Sequence, residues 1–200
     1  MRSALASLVL IAATACGAPP PEAPTVRITV DAAPPRATVD AAPTWDLPEL
    51  SAPAEAKIAA IRDVLARNSL ARLVRLADNE PTFVSNFAGE PHRVYWDLLR
   101  RTGFDPLAQL GDLLDGPYAV HEVGDETWYI WPDLAARSPE ELQLERLTFS
   151  ERARLQALVG EVGIARIREG QGYPGVRTAI AEDGRWLYYV NEAEDETGGN

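Results

Sequence analysis

Tyr118-Ala-Val-His-Glu-Val123 and Thr127-Trp-Tyr-Ile-Trp131 stand on either side of Gly124-Asp-Glu126. Branched and aromatic side chains suit a pleated, half-buried surface, and a short polar run with glycine suits a reversal. The stretch predicts a β-hairpin. Val176-Arg-Thr-Ala-Ile180 and Trp186-Leu-Tyr-Tyr-Val190 repeat the pattern around Glu182-Asp-Gly-Arg185. Asp-Gly is the strongest short hairpin signal here, because its backbone adopts the positive φ that a tight turn needs. Two hairpins predict four antiparallel strands in one sheet. Helical patterns elsewhere make the fold class α+β, with several short helices packed on one face of that sheet.

Working outward, the helices are marked by their ends. Ser51-Ala-Pro53 opens one that carries Ile58, Ile61, Val64 and Leu65 as far as Asn68. Proline fits the first turn, where its missing N–H leaves no bond unmade. Ser69 caps a second, with Leu70, Leu73, Val74 and Leu76. A third is expected over His92–Thr102, stopped by Gly103, and a fourth from Asp105-Pro106 to Gly116-Pro117. Ser138-Pro139-Glu140-Glu141 has the spacing of a capping box and predicts a helix through Leu147. Ser150 is the expected cap of a last helix, in which Gly160 and Gly163 weaken the middle and predict a break in two before Gly170. The folded domain is thus expected over residues 53–190, with an acidic, glycine-bearing tail at 191–200.

Ahead of the domain the composition changes. Nine of the 16 prolines lie between Pro19 and Pro53. Thr29-Val-Asp-Ala-Ala-Pro34 recurs as Thr38-Val-Asp-Ala-Ala-Pro43. A segment this poor in large side chains buries too little surface to offset its ordering entropy. Residues 16–52 are expected to form a disordered tether of polyproline II character. Trp45 and Leu47 are its exceptions, expected to dock on the domain edge.

The chain starts with Met1-Arg2 and an uncharged, mostly apolar run from Ala4 to Ala15, with Cys16 behind it. That run is shorter than the ~20 residues a membrane-spanning helix needs and fits the apolar part of a secretion signal. Ala13-Thr14-Ala15-Cys16 resembles the lipobox of bacterial lipoprotein signal sequences, with Ala13 where leucine is usual. The resemblance covers residues 1 to about 17. It implies a signal peptide at 1–15 and a mature chain that begins at Cys16, lipidated by a diacylglyceryl thioether and an N-acyl (palmitate-type) chain. It further implies a membrane-anchored protein of the cell envelope. Gly17, where aspartate would retain the protein at the inner membrane, implies sorting to the outer membrane.

Composition then excludes several functions. The net charge is −11, which leaves no basic groove for nucleic acid and gives anionic lipid no reason to adsorb the domain. Cys16 is the one cysteine, so neither a disulfide nor a cysteine-based metal site is available. No motif asks for a cofactor. Gly170-Gln-Gly-Tyr-Pro-Gly175 lacks the lysine of a phosphate loop.

Two sets of residues remain as candidate chemistry. His92 and His121 are the only histidines. Ser85, His92 and Asp97 are the residues from which a nucleophilic triad would be built, although no nucleophile-elbow motif surrounds Ser85. His121 and Glu122 are adjacent on a strand and so face opposite sides. The aromatics of the two hairpins form the second set. Trp128, Trp131, Trp186 and Tyr188 are the candidate binding surface, since outward rings offer large contact area at low entropy cost. The favoured expectation is a non-enzymatic interaction module for an envelope protein or glycan. The alternative is a periplasmic hydrolase acting around His92 or His121.

Overall fold

The computed structural model describes residues 45–191, which fall within a unit spanning Thr44–Asn200. Cys16, the signal and most of the tether lie outside the described residues, as does the tail beyond Asn191.

Three of the five helices begin where a side chain takes up unpaired backbone N–H groups. Helix α1 (Ala52–Ala66) starts behind Ser51, whose Oγ accepts from Ala54 N at 3.3 Å. Helix α2 (Leu70–Asp78) and helix α3 (His92–Arg101) follow without a side-chain cap: Ser69, the expected cap of α2, accepts from Arg72 N and Leu73 N through its carbonyl and not its hydroxyl. Helix α4 (Pro106–Asp115) is capped by Asp105, which accepts from Leu107 N at 3.0 Å. Helix α5 (Phe149–Arg168) is capped by Thr148, not by the expected Ser150. Glu151 lies three residues after Thr148, and that spacing decides the cap: Glu151 N donates to Thr148 Oγ1 at 3.3 Å and Thr148 N donates back to Glu151 Oε2 at 2.8 Å. Gly160, at φ 63° and ψ −173°, interrupts α5 where its sequence predicts a break.

The helix expected from Ser138 to Leu147 does not form. Ser138 and Glu141 make the reciprocal bonds of a capping box, but only one turn follows, and a 3-10 turn occupies Leu144–Arg146. Tertiary packing overrides the local signal. Leu142 and Leu147 are both buried, and Gln143 between them is extended, its Nε2 donating to Ile167 O at the end of α5 at 2.7 Å.

The four strands are β1 (Ala119–Val123), β2 (Glu126–Trp131), β3 (Val176–Ala181) and β4 (Trp186–Asn191). They form one antiparallel sheet in the order β1-β2-β3-β4, as the two hairpins predict. Helices α1 to α4 pack on the face that carries Tyr129, Trp131, Ile180, Trp186 and Tyr189. The opposite face is not bare. Its Ile130, Ala179, Ala181 and Leu187 meet Ala135 and Ala136 of a 3-10 turn at Asp133–Ala136. Helix α5 builds a separate cluster with Leu134, Leu142, Leu147 and Tyr173.

Strand β4 breaks strict alternation. Ala179 pairs with Tyr188, but the next residue, Ile180, pairs with Trp186, so Leu187 is extra. Such a bulge turns the following residues by one position. Trp186 and Tyr189, three apart, therefore share the helix-covered face, and Leu187 and Tyr188 share the other.

The folded unit also takes in residues that composition assigns to the tether. Ser51 N donates to Tyr129 Oη at 3.0 Å, and the Tyr118 hydroxyl donates to Pro48 O. Ser51 Oγ donates to Glu182 O at 2.5 Å, which ties the start of α1 to the second hairpin turn. Gly184 in that turn has φ +87°, and a Cβ there would lie 2.8 Å from Pro53 O. Gly184→Ala combines a left-handed backbone with that clash and is expected to cost at least ~2 kcal/mol. Urea denaturation should show a lower midpoint at unchanged slope; an unchanged midpoint would contradict the packing of this turn on α1.

A second prediction concerns the cap of α5. The Thr148 hydroxyl, then the Thr148 N–H and Arg137, hold the Glu151 carboxyl down from 4.5 to about 2. Its contribution is complete above pH 4.5 and is lost as the pH falls through about 2. Thr148→Val should flatten this part of the acid-denaturation curve, and an identical acid limb in the variant would refute the assignment.

Candidate functional site

The two histidines occupy different environments. His121 is exposed on β1, paired across the strands with Trp128. Its neighbour Glu122 accepts instead from Thr127 Oγ1, with both carboxylate oxygens at 3.3 Å. His121 and Glu122 are not brought together, as alternation predicts.

His92 opens α3 and meets Ser85. Val84 reaches β4 in a parallel bridge, its N donating to Leu187 O at 3.0 Å and its O accepting from Tyr189 N at 2.9 Å. This fixes Ser85 beneath the helix, with its Oγ 2.7 Å from His92 Nδ1. Asn86 Nδ2 donates to Ser85 Oγ at 3.0 Å, which leaves the serine hydroxyl able to donate to a bare His92 Nδ1 or to accept from a protonated one. A ring that accepts at Nδ1 carries its proton on Nε2 when neutral. Phe83 and Trp96 flank the imidazole, with ring centroids 5.1 and 5.9 Å away.

Two members of the imagined triad are thus in contact, but the third is elsewhere. Asp97 accepts from Arg93 Nε at 2.8 Å one turn back along α3. Ser85 is only 1% exposed, so the oxygen that would attack a substrate is closed off by Asn86 and the core. Asn86 also clamps its own loop, donating to Glu90 O and accepting from Glu90 N, each at 2.9 Å. The cluster has the chemistry of a nucleophile and base and the burial of a structural hydrogen-bond pair.

The four aromatics of the candidate surface are divided by the sheet. Trp131 and Trp186 are 2% and 0% exposed, so the expectation that they form a binding surface is corrected. Trp131 packs on Tyr118 at 4.9 Å, and Trp186 packs on Phe83 at 4.3 Å and donates from Nε1 to Thr178 Oγ1 at 2.8 Å. Trp128 and Tyr188 are half-buried on the opposite face, edge to face at 6.4 Å. The Arg177 guanidinium lies 6.0 Å above the Tyr188 ring.

A third feature was hidden in the sequence. A groove of about 290 Å³ runs between α4 and α5, lined by Leu113, Pro117, Pro132, Leu158, Tyr173 and Trp45. Arg154 of α5 pairs with Asp133 and carries Trp45 on its guanidinium at 4.8 Å. Of the two tether residues expected to dock on the domain edge, Trp45 meets Arg154 and Leu47 is exposed. No local pattern announces the rest, because Arg154, Asp133 and Trp45 are far apart in sequence. Burial raises the Tyr173 hydroxyl well above its ordinary pKa, and that hydroxyl is without a hydrogen-bond partner.

Among the described residues, no group of three or more metal-ligating side chains converges, and no helix is long and apolar enough to cross a membrane. Comparison with protein-family models, with curated proteins and with solved structures finds no match to this chain.

The burial of Ser85 generates a test. A fluorophosphonate probe should leave the native protein unlabelled, and Ser85→Ala should lower stability by about 1–2 kcal/mol by stranding His92. Labelling that Ser85→Ala abolishes would overturn the structural role.

Proposed function

We propose that the protein is a lipid-anchored interaction module of the bacterial cell envelope. Cys16 holds it at the membrane, the proline-rich segment spaces the domain from the surface, and the domain binds an envelope partner. The observation that carries this reading is the position of Cys16, the chain's one thiol, directly behind Ala13-Thr14-Ala15 and ahead of the proline-rich run. Two or three acyl chains anchor stably where one binds only marginally.

The partner surface in this reading is the outer sheet face at Trp128 and Tyr188. Their edge-to-face setting makes no flat pair of rings for a sugar to lie on, which favours a protein over a glycan. Arg177 over Tyr188 adds a cation to the patch. Arginine and aromatic residues together are the usual anchors of protein contacts.

The hydrolase reading keeps one observation in its favour, the 2.7 Å contact of Ser85 with His92. It requires the loop at Asn86 to open, because Ser85 is closed off as it stands.

The test places a photo-crosslinking amino acid at position 128 of the full chain, expressed in an envelope-bearing bacterium. A discrete protein adduct in the membrane fraction is expected, and the same probe at exposed Glu140 should give none. No adduct from position 128, or the protein recovered in the soluble fraction, would contradict the proposal.

A further inference from the structure

The groove between α4 and α5 has one wall that belongs to neither helix. Trp45 arrives from the tether side and rests on Arg154 at 4.8 Å. Downstream, the segment is held by the bonds from Tyr118 to Pro48 O and from Ser51 N to Tyr129. Residues 45–49 are otherwise exposed, and Trp45 itself is 39% exposed. The Trp45 indole therefore lies against this surface with part of the ring still in water.

We infer that the groove is a binding site for a small, neutral, apolar ring compound, closed on its open side by Trp45. Three observations select that ligand class. The first is shape. Tyr173 and Trp45 bring aromatic rings to the lining and Pro117 and Pro132 add compact apolar rings, so the lining suits a ring-shaped guest. The second is charge. Arg154, the cation of the lining, is already engaged by Asp133, and Asp112 brings a negative charge to the same wall. An anion therefore finds no unpaired positive charge, and a neutral ring has no ionic desolvation to overcome. The third is size. About 290 Å³ lies at the lower end of small-molecule sites and suits one or two fused rings, not a pair of acyl chains.

Because Trp45 is both a wall of the site and the end of the tether, occupancy and docking are linked. A ligand that touches Trp45 strengthens its contact with the domain, and the docked Trp45 raises the affinity for the ligand by the same factor. Occupancy pins the last residues of the tether against the domain. The site shares no residue with Cys16 or with the Trp128–Tyr188 face, so its failure would leave the proposed function untouched.

The probe is N-phenyl-1-naphthylamine, neutral and fluorescent in apolar surroundings, titrated into the full chain carrying Cys16→Ser. Saturable one-site binding is expected. Ala157→Trp fills the groove from an exposed position and should weaken binding at least about tenfold. Trp45→Ala should weaken it severalfold, and Trp45→Phe should restore it. Val162→Trp, a control on the exposed part of α5, should bind like the parent. Equal binding by the parent and Ala157→Trp, or no saturable binding, would overturn the inference. So would an unchanged affinity in Trp45→Ala, which would remove Trp45 from the site.

Discussion

The bulge at Leu187 in β4 is the constraint on which the sheet depends. Without it, alternation would put Trp186 and Tyr189 on opposite faces. With it, both rings enter the helix-covered core, where they stack at 6.4 Å. Burying two large aromatics is worth several kcal/mol, since truncating such a side chain costs about 3–5 kcal/mol. The register of the second hairpin is therefore set by the core and not by its turn alone. The same irregular strand offers Leu187 O and Tyr189 N to Val84. That edge contact is what carries Ser85 under α3 and against His92. The sheet's packing and the Ser85–His92 contact thus both run through β4.

Much of the fold was legible because its signals are local. Asp105-Pro106 caps and starts α4, Asp183-Gly184 turns the second hairpin, and Gly160 breaks α5. Each works through a backbone angle or a neighbouring N–H group. The illegible parts depend on distant partners. Ser138 and Glu141 formed their local bonds, yet the helix they announce gave way to the burial of Leu142 and Leu147. The bulge is invisible in Trp186-Leu-Tyr-Tyr-Val190, since alternation alone would assign Tyr188 and Trp186 to one face. The sheet divides the aromatic set, with Trp131 and Trp186 inside and Trp128 and Tyr188 outside: plain alternation separates Trp128 from Trp131 on β2, and the bulge separates Trp186 from Tyr188 on β4. The groove has no local signature because its lining comes from Trp45, α4, α5 and the segments around Pro117, Pro132 and Tyr173.

The functional account joins these levels. An acidic domain has no electrostatic reason to adsorb on anionic lipid, and in the proposed reading the lipid on Cys16 would supply the attachment instead. The tether ends at Trp45, and from there to Ser51 the chain is fastened to Arg154, Tyr118 and Tyr129. The domain is thereby presented in a fixed relation to the last residues of its own tether. Trp128 and Tyr188 lie half-buried on the outer sheet face, and Ser85 is buried under α3.

The central claim is that Cys16 is an attachment point, and the intact mass and N-terminal fragmentation of protein extracted from membranes test it most directly. The account predicts a mature chain that begins at Cys16 and carries a diacylglyceryl thioether with an N-acyl chain. A chain that retains Met1, or one in which Cys16 is an unmodified thiol, would contradict it.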